Sequence, residues 1–301
     1  MKRACILYFV LFVLLCAAYF VFLQPRVETP GQYLLSFFGA LSTVMLGGSL
    51  AGLTDTLRCT AALRRDRRGE RLRDGRWEAV SGPIHARGTP LRSPFGGVPC
   101  AAYEYDAERT IYLRSGRRLS PSKESSVFGW AMTPCVIQSS RGQVSLLGWP
   151  LLDAFPENLQ SGPSAHERAK DYVRDTAFTR LPKSEALKLL SMMEQAIVDD
   201  DGNLRTDCRS TDEPDPLQGR DLKEKVVPEG EVVTALGLYS ALKGGFAPQT
   251  KRLGTANRLL PGERRAVGRR LWLKALSMLV FAVVFFALIH GLIAVILYGS
   301  D

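Results

Sequence analysis

Three runs along the chain carry no charged residue and no polar face. Cys5–Leu23, Tyr33–Leu53 and Ala275–Tyr298 are apolar around the whole helical circumference. Each is about 20 residues, the length that crosses a hydrocarbon core of ~30 Å as a helix. A core helix of a soluble protein with that length shows a polar stripe, and these do not. The pattern predicts three transmembrane helices, an N-terminal hairpin (5–23 and 33–53) and a C-terminal span (275–298). Lys2 and Arg3 ahead of the first run also suit a signal peptide. Its apolar stretch outruns the usual ~7–15 residues, and no small-x-small site precedes Gln24. Leu15 is too bulky for a lipoprotein cleavage box, so the first run reads as an uncleaved anchor.

Between the spans the period changes from helical to two. Arg76–Gly88 is an extended run broken at Gly82–Pro83. In Val98–Glu108, Ala101, Tyr103, Tyr105 and Ala107 share one face and Glu104, Asp106 and Glu108 the other, the mark of a half-buried strand. Ile111–Leu119 suggests a hairpin turning at Ser115–Gly116. Pro134–Trp149 is a stronger hairpin signal, with Gly142 at the turn. Lys225–Ser240 reads as strand, Pro228–Gly230 turn, strand.

Two helices interrupt the β pattern. One follows a capping box of Ser164 and Glu167. The other, a helical insertion over 182–199, opens at Pro182 and carries Ala186, Leu190, Met193 and Ile197 as an apolar stripe. The acidic, turn-rich stretch 199–221 reads as a loop. It lacks the spaced carboxylates of a calcium loop. The expected fold is therefore an α+β membrane protein with one barrel- or sandwich-like β-rich domain over 76–265.

Charge then orients this arrangement. The chain carries a net +9, concentrated beside the apolar runs. Lys2 and Arg3 precede the first run, Arg58 to Arg73 form a basic segment (58–75) after the second, and a further group precedes the third within 266–301. Lysine and arginine stay on the cytoplasmic side. The domain is thus expected in the cytosol, beneath a cytoplasmic (bacterial inner) membrane and after the N-terminal hairpin region 1–57. Arg64, Arg65, Arg67, Arg68, Arg264, Arg265, Arg269 and Arg270 are the expected contacts to anionic headgroups. No helix-turn-helix, zinc-finger or RNP pattern accompanies the charge, so nucleic acid is not an expected partner. A protein partner of unknown identity is.

Candidate chemistry is sparse. Neither G-x-x-x-x-G-K-[ST] nor G-x-G-x-x-G occurs, and no cysteines stand as C-x-x-C. A membrane thiol enzyme would need Cys100, or less favourably Cys135, beside His85 or His166. A cysteine in a strand is more commonly a small buried hydrophobe. His290 lies in the third apolar run and is read as a neutral imidazole bonded to backbone. Gly48 and Gly52 offer a G-x-x-x-G packing face. No catalytic, cofactor-binding or metal-ligating residue is assigned, and no cofactor is expected.

The stretch "GPIHARGTPLRSPFGGVPCAAYEYDAER" resembles the start of the GIDE domain, also called the BAM ("beside a membrane") domain, through Pro90, Leu91, Ser93, Pro94, Gly97, Pro99, Cys100, Tyr103 and Tyr105. "TPCVIQSSRGQVSLL" is similar to the family's hairpin block through Pro134, Ile137, Gly142 and Val144. "VVPEGEVVTALG" looks like its third block through Pro228, Gly230, Val232, Val233, Leu236 and Gly237. The resemblance covers about residues 78–265. It implies a membrane-anchored recognition or scaffolding domain. In mulan-type E3 ubiquitin ligases of this family, activity resides in a separate RING built on about eight cysteine and histidine zinc ligands. No such cluster stands in this sequence. Ubiquitin-transferase-like activity is therefore the alternative expectation and scaffolding the first.

Overall fold

A computed structural model describes residues 2–24, 27, 29–115, 118–186, 188, 202–248 and 257–298. The chain forms two compact units, Ala62–Val267 and, separately, Met1–Ala61 with Gly268–Asp301.

The first unit is rich in β structure. Its strands are β1 (Trp77–Ala86), β2 (Leu91–Arg92), β3 (Pro99–Ser115), β4 (Arg118–Met132), β5 (Cys135–Ser139), β6 (Gly142–Leu146), β7 (Leu151–Leu152) and β8 (Asn158–Gln160). After helix α3 (Pro163–Asp175) come β9 (Thr179–Arg180), β10 (Leu204–Arg209), β11 (Asp221–Pro228), β12 (Val232–Ser240), β13 (Gly245–Phe246) and β14 (Arg258–Pro261). Strands β1, β5, β6, β13 and β12 close into a five-stranded barrel, which β14 and β7 extend. The other sheet runs β8-β11-β3-β4-β10-β9, with β2 on β3.

Barrel closure rests on the Gly82–Pro83 bend. The run expected to break there is one continuous strand that changes neighbour: Trp77–Pro83 pairs with β12, and Ile84–Ala86 pairs with β5. A Cβ at Gly82 would land on the Gln138 carbonyl oxygen, so the crossing admits only glycine. The hairpin β5–β6 turns as expected at Gly142, whose φ is 104°. Pro228–Gly230 is also a turn, with Gly230 at φ 77°, but it carries the chain from the second sheet into the barrel.

The second sheet packs one face on the barrel and the other on α3, and along β3 Tyr103, Tyr105 and Ala107 are buried while Glu104 and Asp106 of the other face are half-buried. Phe128, Trp130, Met132 and Cys208 pack with barrel residues such as Val80, Ile137 and Phe246. The opposite face sets Tyr103, Tyr105, Val127 and Val226 against Phe95, Leu217 and Ala169 of α3. A bulge at Ala101 puts that residue on the barrel side, away from the tyrosines with which it alternates in sequence. The acids of β3 are paired: Glu104 with Lys225, Asp106 with Lys183, and Glu108 with Lys123 and Lys223.

Two other expectations change. Leu204–Arg209 lies inside the presumed loop 199–221 and is a strand pairing with β4 along its whole length. The start of α3 is Gly162–Pro163 with no side-chain cap, so Ser164 and Glu167 make no capping box. Of the insertion 182–199, a helical turn over 183–186 is seen, and most of the rest, Leu190, Met193 and Ile197 included, lies outside the described residues, as does Gly116 of the turn expected at Ser115–Gly116.

The second unit is helical. Its elements are α1 (Lys2–Leu23) and most of α2 (Thr29–Arg67) and α4 (Arg264–Tyr298). The helices α2 and α4 are long and apolar enough to cross a membrane, and the shorter apolar part of α1 is Tyr8–Leu23. Large apolar side chains such as Phe9, Val21, Leu288 and Val295 are exposed. Both long helices outrun the apolar stretches read in the sequence: α2 continues through the basic segment to Arg67, and α4 begins at Arg264.

Candidate functional site

The loop Ser93–Gly97 is a tight turn. The Gly97 amide donates to the Ser93 carbonyl at 3.0 Å, and the Val98 amide to Ser93 Oγ at 3.1 Å. Its outward amides are already filled. The Glu224 carboxylate of β11 accepts from the amides of Phe95 and Gly96, the second at 3.0 Å. Burial pushes that carboxyl above its usual range, while the two amides and Ser93 draw it back. The glycine–proline loop thus cradles an anion, and the anion belongs to the chain itself.

Beside this loop lies a buried network of phenols. Asp207 of β10 accepts from Tyr105 at 2.6 Å and from Tyr172 at 2.7 Å, and Tyr103 lies 3.2 Å from the Tyr172 hydroxyl. Arg205 donates Nε to Asp207 at 2.6 Å, and its Nη2 reaches Tyr172 at 3.0 Å and Thr176 at 3.2 Å. Tyr105, Gly129 and Asp207 are register neighbours on adjacent strands. The Tyr105 ring therefore crosses β4 where Gly129 offers no side chain; a Cβ there would sit 2.7 Å from its Cε1. Burial pushes the Tyr103 phenol up to about 12 and those of Tyr105 and Tyr172 up as well. At neutral pH these groups are hydrogen-bond donors and acceptors rather than bases.

Next to the network is a cavity of about 580 Å³ whose lining includes Arg92, Gly97, Arg168, Tyr172, Thr176 and Arg205. Arg168 donates Nε to the Phe95 carbonyl at 2.8 Å. Asp171 and Asp175 also reach the cavity, and Arg174 pairs with both, at 3.0 and 2.9 Å. Arg92, Arg168 and Arg205 come from β2, α3 and β10, and no local spacing in the sequence connects them.

The thiol candidates are enclosed. Cys100 is fully buried with Sγ 3.5 Å from the Leu91 carbonyl, and Cys135 is 2% exposed. Burial, aided by Glu224 and Glu229 for Cys100 and by Glu229 for Cys135, pushes each thiol up to about 12. His85, one of the two histidines that would activate them, instead places Nδ1 3.0 Å from Glu229 Oε1. Full-length protein at pH 7 is expected to leave Cys100 and Cys135 unmodified by a small maleimide until denaturant is added. Mass spectrometry after a timed pulse checks this, and rapid modification of Cys100 in the folded chain would restore it as a nucleophile.

The eight basic residues expected at headgroups divide into two sets. Arg65 turns inward to Glu78 at 3.3 Å and the Trp77 carbonyl at 2.7 Å, and Arg264 pairs with Asp66 at 3.3 Å. Arg64, Arg67, Arg68, Arg265, Arg269 and Arg270 have exposed side chains, and the first three line a cleft of about 250 Å³. Asp66 is also bound by Arg141, from the β5–β6 turn, at 2.6 Å. Arg141 further donates to the carbonyls of Glu70, at 3.0 Å, and Ala79. No group of histidine, cysteine and carboxylate side chains suited to a metal occurs among the described residues.

In the helical unit, His290 donates Nδ1 to the Phe286 carbonyl at 2.9 Å, since a carbonyl only accepts. Its Nε2 lies 2.6 Å from the Tyr19 hydroxyl, which is 3.0 Å from Thr43. A neutral ring satisfies all of these bonds. Tyr19, Thr43 and His290 thereby link α1, α2 and α4. The close approach of α1 to α2 is at Gly39, where a Cβ would meet the Tyr19 ring at 3.1 Å. Gly48 and Gly52 face open space, so the G-x-x-x-G pair makes no packing face among the described residues. Compared with family models, with curated proteins and with solved structures, the chain has no match.

Proposed function

We propose that the chain is a multi-pass membrane protein whose β-rich, GIDE/BAM-like domain recognises or scaffolds a partner at the cytoplasmic face, without catalysis. Three spans (5–23, 33–53 and 275–298) anchor it, and its exposed arginines meet anionic headgroups. One observation carries this reading. The two segments by which the domain continues into long apolar helices are tied to each other inside it, through Asp66 to Arg264 and Arg141. A domain held at both ends of the chain is suited to display rather than to release. Its thiols are buried, and Glu104, Asp106 and Glu108 of β3 and Glu224 of β11 are spent on internal bonds.

The test uses Leu242→Cys, at a position 94% exposed, in the full chain. An impermeant maleimide should label this cysteine only after cells are permeabilised, and photo-cross-linking from the same site in native membranes should give one discrete adduct. Labelling in intact cells would sink the cytoplasmic placement. Cross-linking that gave no adduct from any exposed position of the domain would sink the recognition role.

A further inference from the structure

We propose that the two-stranded arm formed by the outer halves of β3 and β4 docks on the anionic interface of the bilayer that anchors the chain. The inference rests on the membrane anchoring proposed above and adds a lipid contact from an element outside the basic segments beside the apolar runs.

Both strands outrun their sheet. The pairing of β11 with β3 ends at Glu108, and that of β10 with β4 ends at Val127. Beyond these points Arg109–Ser115 and Arg118–Glu124 have only each other as strand neighbours among the described residues. Their seven residue pairs reach about 20 Å. A two-stranded ribbon is marginal in water unless one of its faces is covered.

The base and the outer part of the arm differ in charge. At the base, Arg109 pairs with Glu124 and Glu213, each at 2.7 Å, and Lys123 with Glu108 at 2.8 Å. Between Thr110 and Ser122 the sequence holds three arginines and no acid. Directly paired residues share a face, so Tyr112 and Pro121 stand with Arg114 and Leu119 on one side of the ribbon. On that side Tyr112 is 69% and Leu119 68% exposed, and Arg114 and Pro121 are exposed as well.

An anionic lipid interface matches each part of this face. Tyrosine and leucine bury apolar surface at the boundary between headgroups and acyl chains, where the phenol keeps its hydroxyl in water. Arginines meet lipid phosphates, and no carboxylate on the outer arm opposes them. A second copy of the arm is the poorer occupant, because it would set like charges together. Pro121, with no amide to donate, and the arginines also guard the open edges against strand pairing. The domain continues at both ends into the long apolar helices, so a bilayer is the surface the arm meets at the highest effective concentration.

The experiment places the photo-cross-linker p-benzoylphenylalanine at position 119 of the full chain. The chain is reconstituted in vesicles of phosphatidylcholine, with or without a minor fraction of phosphatidylglycerol. Mass spectrometry should find lipid adducts, in higher yield when phosphatidylglycerol is present. Arg114→Gln with Arg118→Gln should lower the ratio of docked to free arm about twentyfold, since each cation near anionic lipid is worth about a factor of five. The melting temperature should not change, because the arm lies outside both sheets' shared pairing. Tyr112→Ser, which keeps the charge, should weaken docking about fivefold or more. Adduct yield indifferent to phosphatidylglycerol and to the double variant overturns the proposal. So does cross-linking to a second copy of the chain instead of lipid, or no adduct at all. A chain that lacks the adduct yet resists alkaline extraction loses the arm's role and keeps its anchoring; a chain that is extracted loses both.

Discussion

Arg141→Met is expected to destabilise the β-rich domain by about 3 kcal/mol, toward the lower end of the range for breaking a buried pair. The Arg141 side chain is 6% exposed and its Asp66 partner 1%. Removal strips Asp66 of its shorter bond and leaves only Arg264, itself partly exposed at 36%. The carbonyls of Glu70 and Ala79 lose a donor in the same step. Asp66→Asn alone should also cost stability, because it leaves the buried guanidinium without a counter-charge. The double variant should lose about 1–2 kcal/mol less than the sum of the two, as contacting partners do. Denaturant unfolding in detergent, followed by fluorescence of the buried Trp77, Trp130 and Trp149, measures all three. An Arg141→Met midpoint equal to the parent's would mean that the lock contributes nothing.

Gly129→Ala should be comparably damaging, at about 2–4 kcal/mol, from one methyl group. The added carbon would meet the Thr206 carbonyl on β10 and stand 2.7 Å from Tyr105 Cε1 and 2.8 Å from its hydroxyl. Neither neighbour has free space. The carbonyl is part of the β4–β10 pairing, and the ring is 3% exposed between Phe95 and Tyr172. Tyr105→Phe is the control, since it keeps the ring and removes one donor to Asp207, which Tyr172 and Arg205 still hold; a loss of about 1 kcal/mol follows. Thermal melts of both variants should therefore separate steric crossing from hydrogen bonding. Equal losses for the two would show that the ring's path over Gly129 is not what matters.

Much of the architecture was legible wherever a single segment carries its own reason. The apolar runs and the turn at Gly142 are local patterns, and they found the long helices and the barrel hairpin. Strand β10 was hidden because its reasons are elsewhere. Arg205 and Asp207 look like loop residues until Tyr105 and Tyr172 supply partners from other elements. Arg141 reads as an ordinary turn cation, and its role depends on Asp66, 75 residues away. The same holds for Arg65 and Arg264, which composition places at headgroups and folding turns inward. As for the cavity, its three arginines meet only after the second sheet and α3 have formed, so no spacing rule announces it.

The divided pairing of β1 has a bearing on the order of assembly. Its first half waits for β12, and a side-chain bond across that pairing joins Ser81 to Thr234, 153 residues later. During synthesis the β3–β4 and β5–β6 hairpins pair with near neighbours, while the barrel stays open until β13, Gly245–Phe246, has emerged. Loop closure over that distance is slow, and an early strand with an unpaired edge invites wrong partners. The helix α4 leaves the ribosome directly after β14, the strand that extends the barrel beyond β12. Closure of the barrel and delivery of the last apolar helix are therefore nearly simultaneous events, and a chain stalled before residue 232 would leave Trp77–Pro83 without its β12 partner.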